Sequence, residues 1–183
     1  MESPVLTSRQ SIPAPPTIRV VVMGVSGAGK STIGALVADA MGFPFLDGDS
    51  LHPMANISKM ASGTPLDDDD RAPWLEIVGN ELATTTASGI VIACSALKRS
   101  YRDAIRAKAP DTIFLHLQGT LEVLSSRLEG RSGHFMPPAL LASQLAALEP
   151  LAADENAVVI DISAGITDLL AAAVAGIKEA ASR

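Results

Sequence analysis

Gly24-Val25-Ser26-Gly27-Ala28-Gly29-Lys30-Ser31 has the spacing G-x-x-x-x-G-K-[ST] of a phosphate-binding loop. Its flanks agree with that reading. The apolar run Ile18–Met23 enters it, and Ile33, Leu36, Val37, Ala40 and Met41 leave it at helical spacing. Strand, glycine loop and helix together aim backbone N–H groups and a helix N-terminus at a bound anion. Gly24, Gly27 and Gly29 let the backbone pass close to phosphates, with Val25, Ser26 and Ala28 between them. Lys30 is placed for the β- and γ-phosphates of a nucleotide and Ser31 for a magnesium ion. The competing reading, a glycine turn with a chance lysine, does not account for the strand before or the helix after.

Outward from this loop the pattern repeats. Short apolar runs at Ile18–Met23, Phe43–Leu46, Ile90–Cys94, Thr112–Leu117 and Val158–Ile162 read as strands. Helical patterns fall at about 29–41, 51–61, 73–87, 98–108, 120–130, 138–148 and 166–181. Near-continuous apolar strands alternating with helices predict a parallel sheet buried on both faces. The predicted fold is therefore α/β and three-layered, one domain over residues 18–183. Residues 1–17, with Pro4, Pro13, Pro15 and Pro16 among serines and threonines, read as a flexible tail.

Composition narrows the function. A length of 183 residues suits one domain with a full core. The net charge of -6 argues against non-specific nucleic-acid binding, so an anionic substrate needs a local basic pocket. The lone Cys94 excludes an internal disulfide and reads as a small buried hydrophobe. No uncharged apolar run approaches the ~18 residues of a membrane span, and the N-terminus has no apolar signal core.

In parallel sheets ligands bind beyond the carboxyl ends of the strands, so those residues matter most. After the second strand stands Asp47-Gly48-Asp49. One carboxylate suits magnesium and the other suits an acceptor hydroxyl, as phosphoryl transfer requires. Asp-Gly also suits a turn, with Asp49 as a helix cap. The run Asp67-Asp68-Asp69-Asp70-Arg71-Ala72-Pro73 reads as a cap with proline in the first helical turn. Arg71 is either a fork for a substrate carboxylate or the partner of neighbouring aspartates. After the third strand come Cys94 and Ser95, where P-loop hydrolases carry an aspartate. That departure disfavours GTPases and motors.

Lys98, Arg99 and Arg102 form either a basic pocket or the wet face of a helix, and at least one is expected to be functional. Arg127 and Arg131 share a helix face ahead of a Gly/Pro segment, which suits a mobile lid at about 127–138 or a surface helix end. His134 is ambiguous, and His116, within an apolar strand, reads as packing.

Taken in order, these blocks resemble the bacterial-type gluconokinases, P-loop kinases related to shikimate and nucleoside monophosphate kinases. The resemblance runs through Met23–Ser31, Leu46–Pro53, Asn56–Leu66, Asp69–Leu75, Cys94–Asp103 and Gly133–Met136, and spans about residues 20–162. The Leu51-His52-Pro53, Lys59–Gly63 and Cys94–Lys98 blocks are its restricted part.

The resemblance implies a five-stranded parallel sheet with helices on both faces and a lid. It implies transfer of the ATP γ-phosphate to the 6-hydroxyl of D-gluconate, magnesium, a cytoplasmic setting and often a homodimer, with no nucleic-acid or membrane partner. Carried over by position, Lys30, Asp49 and Arg131 would be catalytic. Asp49 would orient or deprotonate the acceptor hydroxyl, and Asp47 would join Ser31 at magnesium. His52, Arg71, Lys98 and Arg102 would bind the acceptor with Asp49. Residues 24–31 and Arg127 would bind the nucleotide. A same-fold kinase for shikimate or another sugar acid, and a non-catalytic nucleotide-binding module, remain the alternatives.

Overall fold

Val20 and Val22 point to one side of their strand, Val21 and Met23 to the other, and all four are buried. A strand in that state lies at the centre of a sheet covered on both faces. In a computed structural model, which describes residues 16–129 and 138–183, it is β1, Ile18–Met23. It pairs in parallel with β3 (Gly89–Ala93) on one side and β4 (Ile113–Gln118) on the other. β2 (Phe45–Asp47) and β5 (Ala157–Asp161) close the sheet at its edges, giving the order β2-β3-β1-β4-β5.

The helices form the two outer layers. On the Val20/Val22 face pack α1 (Lys30–Met41), through Ile33, Val37 and Ala38, and α7 (Ile166–Ala181), through Leu169, Ala173 and Ile177. Leu124 of α5 (Leu121–Glu129) and Leu141 of α6 (Pro138–Ala147) join them. On the Val21/Met23 face pack α3 (Asp68–Thr84), through Trp74, Leu75, Val78 and Leu82, and α4 (Arg99–Lys108), through Tyr101 and Ile105. The short α2 (Met54–Ala61) is tied to the start of α3 through Asn56 and Lys59. The three-layer α/β fold is the predicted one.

Several boundaries differ from the sequence reading by a few residues, among them β2, expected at Phe43–Leu46, and most of all two helix starts. The pattern at 51–61 is a 3₁₀ turn over Gly48–Leu51 followed by α2. The third helix begins at Asp68, not at residue 73. Asp67 accepts from the Asp70 N–H at 2.9 Å while the Asp70 carboxylate accepts from the Asp67 N–H at 2.9 Å. That reciprocal capping box starts the helix early, so Pro73 lies in its second turn and not its first. The expected tail falls almost wholly outside the described residues, as does the expected lid beyond residue 129.

Among the described residues no helix is long and apolar enough to cross a membrane. His116 is buried in β4, as an apolar strand requires.

Candidate active site

The loop between β1 and α1 takes the shape its glycines permit. Gly24 has φ +143°, and a Cβ there would stand 2.9 Å from the Leu117 carbonyl oxygen. Gly29, φ +94°, turns the chain into α1 and leaves Lys30 and Ser31 in the first helical turn. The Gly24 N–H donates to Ser95 O at 3.3 Å, and the Ser26 N–H to Gln144 Oε1 at 2.7 Å. The Lys30 ammonium donates to Val25 O at 3.2 Å. The loop opens into a cavity of about 680 Å³ lined by Ser26, Gly27, Gly29, Lys30 and Ser31 on this side.

Asp47 and Asp49 face the loop from the end of β2. The Ser31 hydroxyl donates to Asp47 Oδ2 at 2.8 Å, and the Asp49 N–H donates to Asp47 Oδ1 at 3.0 Å. Asp47 is thus both cap of the turn and partner of the loop serine, and Asp49 is held beside it on the cavity wall. A hydroxyl and a carboxylate in contact form a hard-oxygen donor set, which fits magnesium.

Gly48 is buried between the two acids, and its carbonyl accepts from Trp74 Nε1 at 2.7 Å. The Trp74 indole stacks on His52 with ring centroids 4.2 Å apart. His52 also contacts Asn56, which is buried and donates to Asp70 O at 2.8 Å. Burial lowers the His52 pKa; Asp49 opposes that and Arg71 adds to it.

Arg71 lines the cavity on α3. Two of the neighbouring aspartates are occupied elsewhere. Asp68 accepts from Lys98 at 2.9 Å and from the Tyr101 hydroxyl at 2.5 Å, and Asp70 is paired with Lys59. The Tyr101 hydrogen bond, then Lys98, hold the Asp68 carboxyl below the usual range. The Arg71 guanidinium therefore stays on the cavity wall, 5.9 Å from the Tyr101 ring centroid.

The basic cluster after β3 requires correction. Arg102 is fully buried and does not reach the cavity. Its Nε donates to Glu155 Oε1 at 2.5 Å, and its other nitrogens donate to Ala96 O, Leu97 O, Pro150 O and Glu155 Oε2. Those bonds hold the loop containing Ala96, a non-glycine residue at φ 44°. Arg99 is paired with Asp103 and Asp154, and Lys98 with Asp68. None of the three lines the cavity, because each is neutralised by a carboxylate distant in sequence. Lys30 and Arg71 are the basic side chains lining it among the described residues.

Arg127 lies against the phosphate loop, its guanidinium donating to Ile162 O at 2.5 Å and to Ala28 O at 3.5 Å. Arg131 and His134 lie outside the described residues. Cys94, on the cavity floor, is a buried thiol whose pKa burial pushes up to about 12, so it is no nucleophile at neutral pH. Sequence reading missed Gln144, Asn56 and Trp74. Asn56 opens one of the blocks that carry the resemblance, but nothing in the sequence marks it as buried. Gln144 shows only as an amide in an otherwise apolar stretch.

A phosphate loop with an acid pair against it, in a cavity that an arginine also lines, defines a P-loop kinase. The shikimate kinase family model matches residues 26–168. The thermosensitive gluconokinase of Escherichia coli (strain K12) is 45% identical over 87% of this chain and 88% of its own length. A probable gluconokinase of Xenopus tropicalis is 44% identical over 81% of this chain and 87% of its own. The crystal structure of a gluconokinase from Sinorhizobium meliloti 1021 superposes with a TM-score of 0.82 at 46% identity, covering 92% of this chain and 94% of that one. The chain belongs to the gluconokinase family, within the shikimate kinase group of P-loop kinases.

Proposed function

We propose that this chain transfers the γ-phosphoryl group of ATP to the 6-hydroxyl of D-gluconate, giving 6-phospho-D-gluconate and ADP. The observation that carries the reading is one cavity lined by Lys30 and Ser31, by Asp47 and Asp49 beside them, and by His52 and Arg71. The gluconokinase relatives support gluconate as the acceptor.

The loop amides and Lys30 bind the donor phosphates, and Ser31 with Asp47 holds magnesium. When bound, the magnesium ion neutralises phosphate charge. Arg71 binds the gluconate carboxylate through its two-nitrogen fork, which orients the chain so that the far hydroxyl points at the donor. Asp49 accepts the hydroxyl proton. The new O–P bond forms as the bond from the γ-phosphorus to the β,γ-bridging oxygen breaks, and ADP carries away that electron pair. Arg127 supports the nucleotide end of the loop, and Arg131 is assigned to the transferring phosphate. A cytoplasmic homodimer acting on a small molecule completes the reading.

The test is ADP release by the purified full chain with ATP and magnesium, against gluconate, shikimate and other sugar acids. Phosphorylated gluconate, identified by mass and by phosphorus NMR, is the expected product. Turnover of another acceptor with none on gluconate overturns the reading. Tight ATP binding without turnover on any acceptor favours a nucleotide-binding module instead.

A further inference from the structure

A polyol acceptor presents hydroxyls, each of which needs a donor as well as an acceptor when buried. Asp47 and Asp49, when ionised, only accept. His52 donates or accepts according to which ring nitrogen carries its proton, and its neighbours decide which.

Asn56 lies four residues on, is 4% exposed and makes both of its contacts through Nδ2. That atom stands 2.8 Å from the Asp70 carbonyl oxygen. A carbonyl oxygen only accepts, so the amide end facing it is the NH₂ group, and the amide orientation is fixed. The second hydrogen of the same nitrogen is directed at His52 Nδ1, 3.3 Å away. Nδ1 therefore accepts, and the ring proton belongs on Nε2.

The ring plane is held independently. Trp74 stacks on it at an interplanar angle of 18° and is itself tied to Gly48 O. A neutral ring is consistent with its surroundings: burial disfavours the imidazolium, and of the nearby charges Asp49 favours it while Arg71 disfavours it. Protonating Nδ1 would also set an N–H against the Asn56 NH₂.

We infer that Asn56 is a positioning residue that holds His52 as the Nε2–H tautomer, so that His52 donates a hydrogen bond to a hydroxyl of the acceptor. The tautomer stands on the geometry alone, whereas the hydroxyl partner rests on the sugar-acid acceptor proposed above. Replacing Asn56 by aspartate keeps the size of the side chain and sets an acceptor against both His52 Nδ1 and the Asp70 carbonyl oxygen. The ring then protonates at Nδ1, and the donor at Nε2 is lost from the neutral form.

Long-range proton–nitrogen NMR on ¹⁵N-histidine-labelled full chain reads the tautomer, with His52 assigned by its loss in His52→Gln. The expected wild-type signature at neutral pH is a protonated Nε2 and an unprotonated Nδ1. In Asn56→Asp, Nδ1 becomes protonated and KM for gluconate rises about tenfold, the loss of one hydrogen bond, with KM for ATP unchanged. His52→Gln, whose amide can donate from the place of Nε2, retains acceptor affinity better than His52→Leu. A wild-type ring protonated on Nδ1, or on both nitrogens, overturns the assignment. So does a tautomer switch in Asn56→Asp that leaves KM for gluconate unchanged. If Asn56→Asp does not fold, the wild-type spectrum and the two His52 variants decide. An Nε2–H ring in a protein that turns over no sugar acid leaves the tautomer standing and removes the proposed acceptor.

Discussion

Trp74→Phe separates the two functions of a single indole. Trp74 is 1% exposed, so phenylalanine keeps most of its burial and a ring to stack on His52. What it loses is the Nε1–H that donates to Gly48 O at 2.7 Å. Gly48 is buried, so its carbonyl is left without that donor, at a cost of about 1–3 kcal/mol. The smaller ring gives up roughly 40 Å² of buried apolar surface, about 1 kcal/mol more. The sum, about 2–4 kcal/mol, lowers the melting temperature of a chain this size by roughly 4–16 °C. Because Gly48 separates Asp47 from Asp49, the same change loosens the turn that aims both acids. kcat is expected to fall and KM for ATP to rise with it, because Asp47 contacts the Ser31 hydroxyl of the phosphate loop. Thermal unfolding by far-ultraviolet circular dichroism without ligand, together with initial rates, measures both. A far-ultraviolet probe is needed because Trp74 is the sole tryptophan. A stability loss under about 0.5 kcal/mol, the scatter of neutral surface changes, with unchanged kcat would refute the anchoring role.

Four further outcomes follow from the site and its supports. Asp49→Asn is expected to lower kcat by about 10²–10⁴ with ATP affinity by calorimetry unchanged, and near-normal turnover would remove Asp49 from the proton-accepting role. Lys98→Ala is expected to raise KM for gluconate although Lys98 does not line the cavity, because Asp68 is then released toward Arg71; Lys98→Ala with Asp68→Ala should restore it, and kinetics on both variants decides. Arg102→Met should cost about 3–5 kcal/mol by leaving the buried Glu155 carboxylate with only a 3.7 Å contact to Arg99 and the Ala152 N–H, and adding Glu155→Met should recover most of it, read from denaturant midpoints. The hydrogen bond from Arg99 depresses the Asp154 pKa from 3.8 to about 2, so stability from that pair is complete above about pH 4 and is lost as pH falls toward 2; Asp154→Asn should flatten the acid dependence of the unfolding midpoint over that interval.

What sequence could reveal depended on whether partners were adjacent in the chain. The phosphate loop is contiguous with its strand and helix, so eight residues and their flanks carried the donor site. The strands were legible because burial on both faces of β1, β3 and β4 leaves no polar alternation to misread. The burial of Arg102 and the pairing of Lys98 were not legible because charge alone does not say which way a helix faces. Arg102 turns inward to Glu155, 53 residues later, and Lys98 turns to Asp68, 30 residues earlier. The start of α3 was misplaced because proline in a first turn and an Asp-x-x-Asp capping box are competing start signals, and here the box prevailed.

This basic cluster explains how an acidic chain keeps a cation facing an anionic acceptor. Arg71 follows four consecutive aspartates, the arrangement most apt to neutralise it. Two of them are drawn off: Asp68 by Lys98 and Tyr101, and Asp70 by Lys59. Asp67 is turned back to cap the helix that carries Arg71. Arg71 thus lines the cavity while Lys98 and Lys59 pair with two of its neighbours. Lys98 occupies Asp68 without lining the cavity itself. A basic residue beside a binding site then has two routes to function, contact with the ligand or neutralisation of a competing carboxylate. Only the positions of Asp68 and Asp70 in the folded chain distinguish them here.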